Sequence, residues 1–318
     1  MLTFDKNYFN GETICDFYVD PMVKRAWAAQ LEILTKIIEI CNNHNLTYYG
    51  FWGTMLGAIR HKGFIPWDDD IDIVMKRKDY DIFLEIAQSE LPAEYLVLSP
   101  YSQVEWKEQF SRVTNSHSIN FSENHLIEFH GFPYVTGIDI FPYDYIPDNK
   151  EIRDNQLYFL NKTAHARSQF IKTGNIPEND LLELERTFGF EFNRTLHLDN
   201  QLLCLFDQIS ACFGNESDSK LTCSADRMKS LTDKNKDFYF DKEWFSDVIT
   251  VPFENIRITI PKNYKQCLIT CFGEDYMTPI IGTSEHEYPF YKKQENELKE
   301  IGRYEEVMAA VNNYTINQ

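Results

Sequence analysis

Four aspartates crowd into five positions of the segment Trp67-Asp68-Asp69-Asp70-Ile71-Asp72-Ile73-Val74-Met75. Side chains alternate across a strand. A strand over Asp69–Met75 therefore sets Asp70 and Asp72 on one face and Ile71 and Ile73 on the other, with about 7 Å between alternate residues. If the isoleucines pack inward, two carboxylates point together into a cleft, where their mutual repulsion calls for a cation. Hard oxygen donors of this kind suit Mg²⁺ or Mn²⁺, which take one or two carboxylates and complete their shell with water and phosphate. Asp68 shares the parity at the strand entrance, whereas Asp69 has the opposite parity and is the weakest ligand candidate. A calcium loop would use Asp68, Asp70 and Asp72 at its first, third and fifth positions. It fails because Ile73 stands where that loop needs glycine and Asp79 where it needs a bidentate glutamate. A merely solvated acidic run is the bland alternative, and the alternating isoleucines argue against it.

Upstream, Gly53-Thr54 forms a turn ahead of a short helix, so its N–H groups and the Thr54 hydroxyl could face a phosphate at the helix's positive end. The alternative is a threonine cap with no ligand. Arg60, His61 and Lys62 close the same helix and would add cationic contacts to a polyanionic substrate, or simply serve as a solvated basic C-terminus. Downstream, Gly137-Ile138-Asp139-Ile140-Phe141-Pro142 reads as a second strand with an acid between apolar neighbours. Set beside the first strand, Asp139 completes a three-carboxylate cluster. If buried, it needs a metal, a base role or a structural hydrogen bond. Asp144, past Pro142, reads as a loop acid.

The elements that must position these groups follow from periodicity. Trp27, Leu31, Leu34, Ile38 and Cys41 share one face of a helix from Met22 to about Cys41, with Asp20-Pro21 as cap and first turn. A strand-like run, Leu46–Phe51, precedes the Gly-Thr turn, and the short helix spans Met55–His61. A further helix is expected over Asp79–Ser89, with short strands at Tyr95–Leu98, Phe110–Val113 and Gly137–Phe141. Leucines recurring at threes and fours make Glu151–Phe213 largely helical, Asn215–Lys236 is polar loop, and Asn255–Pro261 alternates as a half-buried strand. The expected fold is α+β, a mixed sheet flanked by helices with an additional helical region. The expected division is 1–150 for the N-terminal helix and catalytic core, 151–245 for the helical region, and 246–318 for a returning strand and peripheral C-terminal helices.

Composition narrows the function. The chain has 318 residues, 43% of them hydrophobic and 15% aromatic, so it folds around a core. With 31 Lys+Arg against 49 Asp+Glu, the net charge of −18 repels nucleic acid and anionic lipid except at local basic patches. No stretch reaches the roughly 18 apolar residues of a spanning helix, and the N-terminus lacks the order of a secretion signal, so a cytoplasmic location is expected. The 7 cysteines are scattered without a C-x-x-C pair, and neither a disulfide framework nor a zinc knuckle is expected.

The long block from Gly53-Thr54 through Arg60-His61-Lys62-Gly63-Phe64-Ile65-Pro66-Trp67-Asp68-Asp69-Asp70-Ile71-Asp72 resembles the signature of the LicD family of phosphocholine transferases, relatives of fukutin and fukutin-related protein. The resemblance extends to Gly137–Asp144 and more loosely to Ile256–Pro261 and Phe272–Met277. It implies a nucleotidyltransferase-like fold in which Asp70 and Asp72 hold Mg²⁺, Asp139 is the third carboxylate, and Gly53 and Thr54 contact phosphate. Arg112 and His286 are further candidate contacts to phosphate or sugar. The implied reaction moves phosphocholine from CDP-choline, or a related phospho-alcohol from its CDP-alcohol, to a sugar of a cell-surface polysaccharide, lipopolysaccharide or teichoic-acid precursor. The implied partners are a CDP-alcohol and a glycan acceptor, with peripheral membrane contact left open. The competing readings are a nucleotidyltransferase that acts on an NTP and a non-catalytic module that binds divalent cations or glycans.

Overall fold

The computed structural model describes residues 1–223, 226–227, 239–282 and 287–316. A small hairpin, β1 (Glu12–Ile14) and β2 (Phe17–Val19), leads into α1 (Pro21–His44). The Asp20 side chain accepts from the Met22 N–H, and the helix ends at Asn45 in the left-handed region (φ 55°), beyond the exit expected at Asn42-Asn43. One face of α1, including Trp27, Leu31, Leu34 and Cys41, is buried against the sheet.

Next come β3 (Tyr48–Gly50), α2 (Trp52–Arg60), β4 (Asp72–Lys76), α3 (Arg77–Glu90), β5 (Leu96–Leu98), β6 (Ser111–Thr114), α4 (Glu123–Glu128) and β7 (Gly137–Ile146). They build one mixed sheet in the order β3-β4-β7-β6-β5, in which β4 and β7 run parallel and the other pairs antiparallel. Two boundaries differ from the expected ones. The ladder starts at Asp72, so Asp70 precedes the strand, although the Ile71 carbonyl already accepts the Asp139 N–H at 3.1 Å. Helix α2 starts earlier, so Gly53 and Thr54 lie in its first turn and Phe51 is the cap.

Strand β7 does not stop at Pro142. Because the Asp139 N–H points to β4, the N of Pro142, three residues on, points to the opposite side. There β6 pairs only through Ile140 and the next partner starts at Tyr143. The missing N–H falls in the gap between two partners, the one place in a central strand where proline costs no ladder bond. Asp144 is accordingly a buried strand residue and not a loop acid.

Helices α5 (Lys150–Thr173), α6 (Glu178–Phe188) and α7 (Leu198–Cys212) close around a second apolar cluster that includes Leu160, Leu184, Leu202 and Phe206. The polar stretch after them contains β8 (Lys220–Cys223), which pairs with the far half of β7 and with β9 (Phe240–Asp241). The rest of that stretch, 224–225 and 228–236, lies outside the described residues. After a short 3₁₀ turn, β10 (Val248–Phe253) and β11 (Ile256–Pro261) form a separate ribbon, anchored to the sheet where Thr259 Oγ1 donates to the Tyr48 carbonyl at 2.7 Å. Helices α8 (Tyr264–Phe272), α9 (Lys292–Glu300) and α10 (Tyr304–Ile316) follow. The last two are not peripheral, since Leu298 and Val307 join the main core. None of the described helices is long and apolar enough to cross a membrane.

Candidate active site

In the parallel ladder Asp72 stands opposite Asp139, and in the neighbouring antiparallel ladder Arg112 stands opposite the same Asp139. Paired residues share a face, so Arg112, Asp139 and Asp72 form a row across β6, β7 and β4, at about 4.8 Å per strand. Arg112 engages both Asp139 oxygens: Nη2 donates to Oδ2 at 2.7 Å, and Nε donates to Oδ1. Burial alone would lower the Arg112 pKa, but the Asp139 carboxylate first, then Asp70 and Asp72, hold it above its ordinary value. At the other end of the row, burial and the charges of Asp70, Asp139 and Asp68 hold the Asp72 carboxyl well above the usual carboxylate range, with Arg112 opposing. The Asp72 N–H donates to Thr54 Oγ1 at 2.9 Å, which ties β4 to the first turn of α2.

The loop bearing the other aspartates is held by α1 and by the C-terminal segment. Trp27 Nε1 on α1 donates to the Asp68 carbonyl at 3.1 Å, and Gln30 Nε2 donates to the Asp69 carbonyl at 2.6 Å. The Trp27 ring stacks on Phe64 with centroids 4.7 Å apart. Asp69 is fully buried, and its Oδ2 accepts the Phe290 N–H at 2.6 Å. The opposite parity of Asp69 thus turns it into the protein, where it fastens the loop to the C-terminal segment.

Gly53 lies against the Asp68 carboxylate: a Cβ there would come within 2.5 Å of Asp68 Oδ2. The first ladder bond of α2 runs from the Met55 N–H to the Phe51 carbonyl, so the N–H groups of Trp52, Gly53 and Thr54 precede the ladder at the positive helix end. Trp52 has φ 37°, an unfavourable value for a bulky side chain, and its ring packs edge-on to Phe141 at 4.8 Å. Arg60, His61 and Lys62 sit at the other end of α2, about 10 Å along the axis from Gly53. There Arg60 Nη1 donates to the Tyr276 carbonyl at 2.8 Å, burial lowers the His61 pKa with Arg60 adding to it, and Lys62 is exposed. The structure therefore joins Asp70, Asp72, Asp139, Gly53, Thr54 and Arg112, and leaves the basic trio at the opposite end of α2. His286 lies outside the described residues.

Two features escaped sequence reading. One is the fixed pairing of Arg112 with Asp139. The other is an aromatic wall beside the row, in which Phe141 meets Trp52 and Phe110 (4.5 Å) and Phe110 meets Trp106 (5.9 Å). Asp144 belongs to neither; it pairs with Arg77, which also pairs with Asp207 of α7.

The donor atoms at the row are all hard oxygen, which suits Mg²⁺ or Mn²⁺, and a divalent cation would relieve the repulsion that Asp70, Asp139 and Asp68 add to the burial of Asp72. Among the described residues, no group of three or more His, Cys, Asp or Glu side chains is arranged to hold a metal ion; Asp139 has Arg112 on both oxygens, which leaves Asp70 and Asp72 as the carboxylates outside that pairing.

The architecture is α+β, a mixed sheet that presents acids from adjacent parallel strands beside a helix N-terminus. Residues 45–182, less than half of the chain, match the family model described as LicD/FKTN/FKRP, nucleotidyltransferase domain. It is similar to the lipopolysaccharide cholinephosphotransferase LicD of Haemophilus influenzae, with 45% identity over 65 residues, 20% of this chain and 24% of that protein. It is also similar to an uncharacterized protein of Rickettsia typhi, with 44% identity over 48 residues, 15% of this chain and 16% of that one. An uncharacterized protein of Rickettsia prowazekii is 46% identical over 41 residues, 13% of this chain and 15% of that one. The chain thus matches less than a quarter of the length of these relatives.

Proposed function

We propose that this protein transfers a phospho-alcohol, phosphocholine being the type case, from a CDP-alcohol donor to a sugar hydroxyl of a cell-surface glycan or lipopolysaccharide precursor. The observation that carries the reading is the row Arg112–Asp139–Asp72, with Asp70 beside it, facing the start of α2 inside the LicD-matching segment. The cholinephosphotransferase activity named for the Haemophilus relative supports the phospho-alcohol over other groups.

A Mg²⁺ or Mn²⁺ ion held by Asp70 and Asp72, with Asp139 as the third ligand once Arg112 gives it up, would neutralise charge on the donor's pyrophosphate. The protein's part is positioning. The N–H groups of Trp52, Gly53 and Thr54 meet phosphate oxygens at the positive end of α2. The aromatic wall offers π-faces to the donor's base or to a quaternary ammonium group. The acceptor hydroxyl oxygen forms a bond to the phosphorus that carries the alcohol, the bond from that phosphorus to the CMP oxygen breaks, and CMP leaves. A carboxylate of the row, Asp139 in this reading, takes the acceptor proton.

The test is to incubate the chain with Mg²⁺, a glycan acceptor and either CDP-choline or CDP-ribitol, and to follow CMP. Asp72→Asn and Asp139→Asn should each lower CMP release at least about a hundredfold without unfolding the chain. A nucleotidyltransferase, the second reading favoured by the description of the matching domain, would release pyrophosphate from an NTP instead. That product, or CMP release indifferent to Asp72→Asn, defeats the proposal.

A further inference from the structure

We propose that Arg112 is a resident counter-ion for the acidic row, holding Asp139 in the metal-free protein and releasing it when a divalent cation binds. The inference rests on the metal-dependent reading of the site and concerns how this chain keeps the site assembled without metal.

Three acids, Asp70, Asp139 and Asp68, converge on Asp72, and Arg112 is the cation opposing them there. A bidentate pair uses both Asp139 oxygens, so a cation that takes Asp139 as ligand must compete with the guanidinium for them. The exchange has a route and a destination. The Arg112 side chain is 38% exposed although its partner Asp139 is only 12% exposed, so the guanidinium leaves toward solvent while the acid stays in place. It also stands 5.5 Å from the Trp106 ring centre and 5.8 Å from that of Phe110, and these faces retain it after the carboxylate is gone. Its stem occupies a cradle made by the absence of a side chain at Gly137, where a Cβ would come within 2.6 Å of Arg112 Cγ and 2.8 Å of Cδ. An arginine with its stem seated this closely and its side chain still 38% exposed is fixed at its base, so exchange of partners falls to the guanidinium. Arg112 is in this sense a positioning residue: it acts on the donor through Asp139 and the ion.

The competition predicts that removing the guanidinium improves metal binding. The full chain, stripped of metal, is titrated with Mn²⁺ while free Mn²⁺ is followed by electron paramagnetic resonance, with Asp72→Asn marking binding at this site. Arg112→Gln should bind Mn²⁺ about tenfold tighter than the unaltered chain. Its melting temperature in EDTA should be lower, and Mn²⁺ should raise it by more than it raises that of the unaltered chain. Arg112→Lys keeps the charge but loses the two-pronged grip, so it should tighten binding by a smaller factor; it decides the matter if Arg112→Gln does not fold. If Asp72→Asn abolishes Mn²⁺ binding while both Arg112 variants bind as the unaltered chain does, or more weakly, the exchange is overturned and the metal site stands. If no protein shows Mn²⁺ binding that Asp72→Asn removes, the metal reading and this inference fall together. Release of CMP then remains the separate test of phospho-alcohol transfer.

Discussion

Arg77→Met should destabilise the protein by about 3–5 kcal/mol, far more than loss of a surface ion pair. Arg77 follows directly on β4 and bridges two acids. Its Nε and Nη2 donate to Asp144 at 2.7 and 2.8 Å, and its Nη2 and Nη1 donate to Asp207 at 2.9 and 3.1 Å. The three side chains are 15%, 4% and 9% exposed for Arg77, Asp144 and Asp207, which places the network in the buried class where an abandoned charge is expensive. Burial alone would lower the Arg77 pKa, and the two carboxylates hold it above its ordinary value instead. Without Arg77, Asp207 keeps a hydrogen bond from Tyr101 at 2.7 Å, so most of the loss falls on Asp144.

The pH dependence follows from Asp144. Burial raises its carboxyl above the ordinary value while Arg77 opposes, so removing Arg77 moves it further up. A carboxyl whose folded pKa exceeds its unfolded one takes up protons on folding, and stability then rises as pH falls through the folded value. Arg77→Met should therefore regain part of its loss as pH falls below neutral, relative to the unaltered chain. Adding Asp144→Asn and Asp207→Asn should restore most of it at neutral pH, because no buried charge is left unpaired. Urea unfolding at unchanged slope measures each step. A loss below about 1 kcal/mol for Arg77→Met, or no pH-dependent recovery, would refute the assignment of this network as buried and charged.

Other consequences are open to the same kind of measurement. Burial pushes the His125 pKa down to about 4, so this side chain folds neutral. About 3 kcal/mol of stability is then lost as pH falls from the unfolded value near 6.5 through the folded one, and His125→Gln should flatten that slope in urea midpoints between neutral and acid pH. Gln30→Met removes the donor to the Asp69 carbonyl at nearly constant volume and should cost about 1–3 kcal/mol, with CMP release reduced beyond what the remaining folded fraction explains. At Gly57 a Cβ would come within 2.4 Å of the Gly63 carbonyl oxygen, so Gly57→Ala should forfeit the usual helix gain and melt lower.

Local chemistry made part of this protein legible from sequence alone. Asp20-Pro21 starts α1 by hydrogen bonding within two residues, and the alternation around Asp72 separates acid from core as read, with Ile71 and Ile73 buried, although Asp70 lies just before the strand. The opposite parity of Asp69 also survives folding, since it is the one acid of the run that turns fully inward. What stayed hidden depends on which strand lies beside which. Pro142 reads as a strand end by any local rule, and only the handover from β6 to β8 along one side of β7 makes it harmless. Asp144 was misplaced for the same reason. The clamp of Phe290 on Asp69 joins positions 221 apart in sequence, and no local pattern announces it.

Arg112 illustrates the limit best, because its role is decided by register. A shift of β6 against β7 by one residue would turn Arg112 to the opposite face and put Ser111 or Val113 across from Asp139. The acid would then be buried with no cation across the ladder, at the cost of an uncompensated charge. The Arg112–Asp139 pair is thus both a product of the register and a reason for it. The apolar residues flanking it act in the same direction, since Val113 and Ile138 oppose each other in the core. Two independent preferences, charge with charge and core with core, select one alignment of β6 on β7. The separate parallel register of β7 on β4 brings Asp139 level with Asp72, so the row on which the proposed chemistry depends is the product of two strand alignments, β6 on β7 and β7 on β4.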